Sequence, residues 1–326
     1  MPKKINILVT GGAGYIGSHI CKNLKLNNFN PISYDDLSTG KRNFVKWGPL
    51  VVGDILDQKK LVKVMKEYDV KVVVHLAAKS LVEESDKKLK YYFNNNVIGT
   101  AILLEAMKKS LVKKIIFSST ASVYGNSSKG LIKESNKLSP INNYGLTKLY
   151  CENLINHYAL SDSWDFVILR YFNAAGSDYE SNIGELRDPE THLIPRISEQ
   201  ILQKKTISVF GNQYRTKDGT CIRDFIHVKD IASAHTICVQ HILKKNIRKV
   251  YNLGTGKGYS VLEIIKNFEK KSNIDVKVKI ARKRSKDPEK LVANPMLFKK
   301  QFNWKPIHSN IKNIIESEIF WRKMQF

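Results

Sequence analysis

The sequence predicts an α/β protein: a doubly wound parallel sheet of about seven strands with a smaller, interleaved α/β domain. Three observations carry this. Short β-rich runs, apolar on both faces, alternate with longer amphipathic runs, as buried parallel strands and their crossover helices must. A glycine-rich turn follows the first such run. After about residue 173 the rhythm breaks, and a segment rich in Gly, Asn, Ser and Asp begins.

Strands are expected at Ile5–Thr10, Pro31–Asp35, Leu50–Gly53, Lys71–Leu76, Lys114–Ser119, Phe166–Tyr171 and Val250–Leu253. Between them, Ile16–Leu26 and Asn96–Lys109 read as helices, the second with Val97, Ala101, Leu104 and Met107 on one face. This alternation implies right-handed βαβ units. The first domain is expected over 1–173, with 228–260 returning to it. The second takes 174–227 and 261–326, as a lid over the sheet's C-terminal edge. In it, Asn173–Pro189 reads as loop, Thr206–Gly219 as a short strand and turn, and Lys277–Phe326 as strand, loop and last helix.

Of 326 residues, 42% are hydrophobic, so a sizeable core is expected. No apolar run approaches the ~20 residues of a membrane helix. The N-terminal residues show no signal region, and a cytoplasmic location is expected. Cys21, Cys151, Cys221 and Cys238 are widely spaced without a C-x-x-C pair, which predicts reduced, buried thiols and no metal. The net charge of +24 is spread over every segment. The densest basic run, Lys277–Lys286, has no interleaved aromatics to stack bases. The charge therefore points to compositional bias and anionic small molecules rather than to nucleic acid.

Gly11-Gly12-Ala13-Gly14-Tyr15-Ile16-Gly17 follows the first strand and opens a helix. In that context glycines allow a tight turn and close backbone approach to a pyrophosphate, which the helix N-terminus attracts. This is the Rossmann arrangement for a dinucleotide. Asp35, ending the second strand, is placed to accept from ribose hydroxyls and to repel a 2′-phosphate, which favours NAD over NADP. Asp54, ending the next, is placed near an adenine amine.

Ser139-Pro140 reads as a helix start. Tyr144 and Lys148, at i and i+4, share one face of that helix. An ammonium beside a phenol stabilises the phenolate, which makes a base nearer neutral pH. Thr120, at a strand end, is placed to relay a proton.

With these motifs the chain resembles the extended short-chain dehydrogenase/reductase family and, within it, the UDP-glucose (UDP-galactose) 4-epimerases. The resemblance runs through GGAGYIGSH (11–19), DDLSTGKR (35–42), HLAAKSLVEES (75–85), NNNVIGT (94–100), FSSTASVYG (117–125), YGLTK (144–148) and LRYFNAAG (169–176). It continues through HLIP (192–195), VFGNQYRTKDGTCIRDFIHVKD (209–230) and YNLGTG (251–256). The resemblance implies tightly held NAD, a UDP-sugar substrate and a homodimer. It implies inversion of C4 through a transient 4-keto sugar, with Tyr144 as base, Thr120 assisting and Lys148 binding the nicotinamide ribose.

On the cofactor side it implies contacts from Gly11, Gly14, Tyr15, Ile16 and Gly17, from Asp35, Asp54 and Ile55, and from Leu76, Ala77, Asn96, Ser118 and Tyr171. On the substrate side it implies Asn173, Arg223 and Arg284 at the diphosphate, Phe210 against uracil, His192 and Leu193 at the nucleotide loop, and Asp287 at the uridine ribose. The chain departs from the pattern at Ser80, where some members carry lysine, and at Lys286, where glycine is common. Leu291 falls where side-chain bulk limits room near the sugar. Ala121-Ser122 stands where a 4,6-dehydratase needs an Asp-Glu pair, which argues against dehydration. Epimerisation of another UDP-sugar (UDP-N-acetylglucosamine or a UDP-pentose) is the alternative. A non-catalytic nucleic-acid-binding relative is the remote one.

Overall fold

The computed structural model describes residues 4–126, 130–284 and 286–326. Met1–Lys3, Ser127–Lys129 ahead of Tyr144, and Ser285 of the basic run lie outside them. The central sheet has strands β1 (Asn6–Thr10), β2 (Asn30–Asp35), β3 (Leu50–Val52), β4 (Val70–His75), β5 (Lys114–Thr120) and β6 (Asp165–Tyr171). Beyond β7 (Asn173–Ala175), β8 (Ile207–Phe210) and β9 (Ile222–His227), which lie elsewhere, β10 (Arg248–Leu253) completes it. Its order is β3-β2-β1-β4-β5-β6-β10, so the chain reverses direction of winding between β1 and β4. All pairs from β3 to β5 are parallel. In register, Leu8 of β1 lies between Ile32 and Val73, and Val73 faces Ile115. These four side chains are fully buried, which is why their strands read as apolar on both faces.

Helices α1 (Tyr15–Leu26), α2 (Gln58–Glu67), α3 (Val82–Lys87), α4 (Leu89–Tyr92), α5 (Gly99–Lys109) and α6 (Asn143–Ser161) follow the strands. Leu61, Val64 and Met65 of α2 and Leu103, Leu104 and Met107 of α5 pack into one core with β1, β2 and β4. Two expectations change here. Asn96 does not open α5 but lies in a π-helical turn, Phe93–Ile98, before it. And α6 starts not at Ser139-Pro140 but at Asn143, because the Asn142 side chain accepts from the Gly145 N–H at 2.8 Å.

The chain forms two compact units, the first of residues up to 123, 140–170 and 231–251, the second of 124–139, 171–230 and 252–326. The sequence predicts 124–139, 171–173, 228–230 and 252–260 in the first. Asn252 accounts for 124–139 and 252–260. It is fully buried, accepts from the Tyr124 hydroxyl at 2.7 Å and donates to the Ile132 carbonyl at 2.9 Å. In the second unit β9 is flanked by β11 (Gly258–Ser260), β13 (Lys290–Leu291) and β7, while β12 (Val278–Ala281) pairs with β8. Asn173 thus begins a strand where a loop was expected. Helices α7 (Leu193–Leu202), α8 (Val228–Lys244), α9 (Val261–Ser272), α10 (Met296–Phe302) and α11 (Ile311–Lys323) complete the chain. Ile197, Phe225, Ile264, Phe268 and Ile314 form the second core.

Inside the first unit, Glu152 of α6 and Arg170 of β6 form a buried ion pair, Nη2 to Oε2 at 2.5 Å and Nε to Oε1 at 3.0 Å. Breaking such a pair from one side leaves an uncompensated charge, at about 3–5 kcal/mol. Arg170→Met is therefore expected to lower the denaturant midpoint sharply, and adding Glu152→Gln to recover most of the loss. A single variant as stable as the parent would refute this.

Candidate active site

The glycine turn lies at the C-terminal end of β1, beside the winding reversal, where open α/β sheets bind ligands. Gly11 has φ +74°, and a Cβ there would lie 2.9 Å from the Ala77 nitrogen. A Cβ on Gly17 would lie 2.1 Å from the Gly11 carbonyl oxygen, so α1 approaches the turn only without a side chain. Helix α1 has no side-chain cap and no acidic residue in its first turn. Its positive end is left for an anion, which fits a dinucleotide pyrophosphate. Asp35 is buried and fastened to the turn, accepting from the Ala13 N–H at 3.0 Å and the Leu37 N–H at 2.9 Å. Each oxygen keeps a lone pair for a ribose hydroxyl. Burial pushes its carboxyl up and those N–H bonds oppose the rise. Asp54, expected near adenine, accepts from Leu56 N at 2.9 Å, a turn-closing bond within its own loop.

One close approach sets the elements that carry Thr120, Tyr144 and Lys148 against each other. At Gly145 helix α6 comes so near the turn after β5 that a Cβ would lie 2.6 Å from the Ser122 carbonyl oxygen. This sets the first turn of α6, with Tyr144, against the segment that carries Thr120. Thr120 Oγ1 accepts from Ser122 N at 3.1 Å and donates to Ser122 Oγ at 3.2 Å. Tyr144 is half-buried, and its backbone N–H donates to Ser85 Oγ at 3.0 Å. Lys148, one turn on, is buried. Its Nζ donates to the Ser118 carbonyl at 2.9 Å and sits 4.7 Å from the Phe117 ring centre. Burial lowers its pKa to about 8, against the pull of Cys151 and Glu152, so it is mostly charged at neutral pH.

A buried polar network braces this arrangement. Thr100 donates to the Asn96 carbonyl at 2.6 Å, so its oxygen accepts from His75 Nε2–H at 3.0 Å. His75 Nδ1 then accepts from Thr10 at 2.7 Å. Burial, with Lys148 adding to it, holds His75 neutral by lowering its pKa to about 3. Asn96, expected at the cofactor, spends its whole amide on the protein. It donates to the Lys79 carbonyl and to Thr147, and accepts from Lys79 N and Asn95. It holds the Ala77–Lys79 loop and α6. The Ser118 side chain is likewise bonded within the protein. His235 Nδ1–H donates to the Ile231 carbonyl, so Nε2 accepts from the Ser118 hydroxyl at 3.0 Å. What Ser118 offers the site is the carbonyl that holds Lys148. Ile55 is buried under Gly99, and Leu76 continues the sheet by donating to the Thr10 carbonyl at 3.0 Å. Tyr15 packs edge-on to His19, and Tyr171 ends β6, half-buried.

In the second unit, Arg223 of β9 is paired with Asp287, and its Nη1 donates to the Ile222 carbonyl at 2.7 Å. The Tyr214 hydroxyl donates to the same aspartate at 3.3 Å. The Arg284 guanidinium lies 4.2 Å from the Phe210 ring centre. Guanidinium, aromatic face and carboxylate converge there, a set suited to a nucleotide diphosphate. Asn173 is exposed at the start of β7. His192 precedes Leu193, the first residue of α7, and bonds Glu185 at 2.6 Å. Sequence reasoning missed Ser85, Glu185 and Asp224. The last is fully buried and receives the N–H groups of Thr255, Gly256 and Ala293. Its place directly after Arg223 in the DGTCIRDF run was the available signal. Cys21, Cys151, Cys221 and Cys238 are free and buried, as expected.

Comparison with known proteins shows the family. UDP-glucose 4-epimerase of Rhizobium meliloti (strain 1021) is 42% identical over 317 residues, covering 97% of this chain and 96% of that protein. The crystal structure of UDP-glucose 4-epimerase from Brucella ovis in complex with NAD matches with a TM-score of 0.93 at 41% identity, over 97% of each chain. The enzyme of Stenotrophomonas maltophila with bound NAD and formylated UDP-arabinopyranose matches with a TM-score of 0.95 at 34% identity, over 98% of each. The model of the NAD dependent epimerase/dehydratase family matches residues 7–254, and the chain belongs to that family.

Proposed function

We propose that this protein interconverts UDP-glucose and UDP-galactose by inverting C4 through a transient 4-keto sugar, with NAD tightly bound. The observation that carries the reading is the approach at Gly145, which sets Tyr144 beside the Thr120 turn with a buried lysine on the same helix face. NAD, when bound, supplies reversible oxidation of the C4 carbon. Gly11, Gly14, Tyr15, Ile16 and Gly17 hold its pyrophosphate, Asp35 its ribose, and Asp54 and Ile55 the adenine end. Leu76, Ala77 and Tyr171 line the nicotinamide side, and Asn96 and Ser118 act through the groups they hold.

Tyr144 Oη takes the proton of the sugar's 4-hydroxyl and returns it. Thr120 Oγ1, whose bond to Ser122 is long, turns to pass that proton. Lys148 binds the nicotinamide ribose and stabilises the phenolate. The first unit is the NAD-binding domain and the second the substrate-binding domain. In the second, Asn173, Arg223 and Arg284 hold the diphosphate, Phe210 stacks on uracil, Asp287 binds the uridine ribose while orienting Arg223, and His192 and Leu193 close on the nucleotide. Four buried, reduced thiols fit a cytoplasmic location. Leu89, Tyr91, Phe93 and Tyr150 form an exposed apolar face, with Phe93 edge-on to Tyr150 at 6.0 Å, and support a homodimer.

Pure protein given UDP-galactose is expected to form UDP-glucose, followed by chromatography. Tyr144→Phe should retain NAD and lose at least about a hundredfold in rate, as loss of a general base requires. Conversion at the parent rate by this variant would remove Tyr144 from its role. No conversion by the NAD-loaded parent would sink the reading.

Lys148 is charged below its pKa of about 8 and neutral above it. The rate constant kcat/KM should therefore decline above about pH 8. A profile flat to pH 9.5 would mean that the charge is not used.

In sedimentation at micromolar concentration the parent should run as a dimer and Tyr91→Lys as a monomer. A monomeric parent would contradict the apolar-face assignment.

A further inference from the structure

In the second unit four carboxylates gather around two arginines. Arg322 of α11 is 2% exposed and holds three carboxylates: Glu318 at 2.7 Å, Glu190 at 2.7 Å and Glu199 at 3.4 Å. Glu185 adds a fourth, paired with Arg187 at 2.7 Å. The Glu185, Glu190 and Glu318 side chains are each at most 1% exposed. Buried charge of one sign is costly unless something neutralises it.

Glu185 Oε1 accepts from both Arg187 and His192, yet its buried Oε2 has no hydrogen-bond partner. Among the described residues, Glu185, Glu190 and His192 each bring one ligand-type atom within 4.8 Å of the others. A cation with bonds of about 2.0–2.2 Å needs its ligand atoms roughly 3–4 Å apart, which small side-chain rotations reach.

We propose that Glu185, Glu190 and His192 form a divalent-cation site, for which zinc is the best-suited ion. One imidazole with two carboxylates matches zinc and not magnesium, which prefers oxygen ligands and retains its waters. A +2 ion offsets the negative charge of the carboxylates that bind it. The His192 side chain is 45% exposed, which leaves an entry path and room for a water as fourth ligand. Such an ion would pin the 185–192 segment ahead of α7 and, through Glu190 and Arg322, tie it to α11. The site shares His192 with the nucleotide contact proposed above, and its test needs no nucleotide.

The test is calorimetric titration of the full, chelator-treated chain with zinc chloride alone, repeated with magnesium chloride. One zinc per chain at micromolar affinity is expected, with magnesium silent and with a thermal midpoint that rises with zinc concentration. Glu185→Gln and His192→Ala should each weaken binding about tenfold or more, while the surface variant His157→Ala should bind as the parent does. If Glu185→Gln fails to fold, His192→Ala decides, because that side chain is half in solvent. Absence of saturable one-to-one binding, or undiminished binding by His192→Ala, would overturn the proposal.

Discussion

The proposed site depends on one constraint: a lysine ammonium must stay charged inside the first unit. Taking an ammonium out of water is costly, and the lowering of the Lys148 pKa to about 8 measures that cost in direction. The Ser118 carbonyl, the Phe117 ring face and the nearby Glu152 offset it enough to keep the proton at neutral pH. Each helper is itself held. Ser118 donates to a histidine kept neutral by burial, and Glu152 is clamped by Arg170. The strand ends, helix α6 and the polar network from Thr10 to Thr147 can therefore be read as the housing of one charge.

That housing explains residues with no chemistry of their own. Gly145 lets α6 touch the Ser122 carbonyl, and Gly17 lets α1 meet the glycine turn. His75 and Asn96 lock the Ala77–Lys79 loop and α6 in one hydrogen-bonded chain. Any of these positions can alter the reaction without touching substrate.

The strands of the central sheet were legible because residues such as Leu8, Ile32 and Val73 are buried on both faces and leave an apolar run in the sequence. The glycine turn and the Tyr144–Lys148 spacing were legible because their logic is local. What was hidden is non-local. Ser139-Pro140 and Asn142 are both good helix caps, and only the bond to Gly145 chooses between them. An asparagine such as Asn96 serves equally as ligand contact or brace, and its partners Lys79 and Thr147 lie far off in sequence. The pairing of Arg223 with Asp287 spans 64 positions, and that of Glu190 with Arg322 spans 132. Neither leaves a periodic trace. The return of Asn252 to Tyr124 and Ile132, which moves the unit boundary, is of the same kind.

The central claim is that Lys148 turns Tyr144 from a phenol of ordinary pKa, roughly 10, into a base near neutral pH. Its direct test is an NMR titration of the NAD-loaded chain with its 14 tyrosines labelled at the ring Cζ carbon. One resonance should titrate at least about one unit below the ordinary phenol value. It should be absent in Tyr144→Phe and return toward the ordinary value in Lys148→Met. A parent in which no tyrosine titrates below its ordinary range, or a Tyr144 signal indifferent to Lys148→Met, would contradict the account.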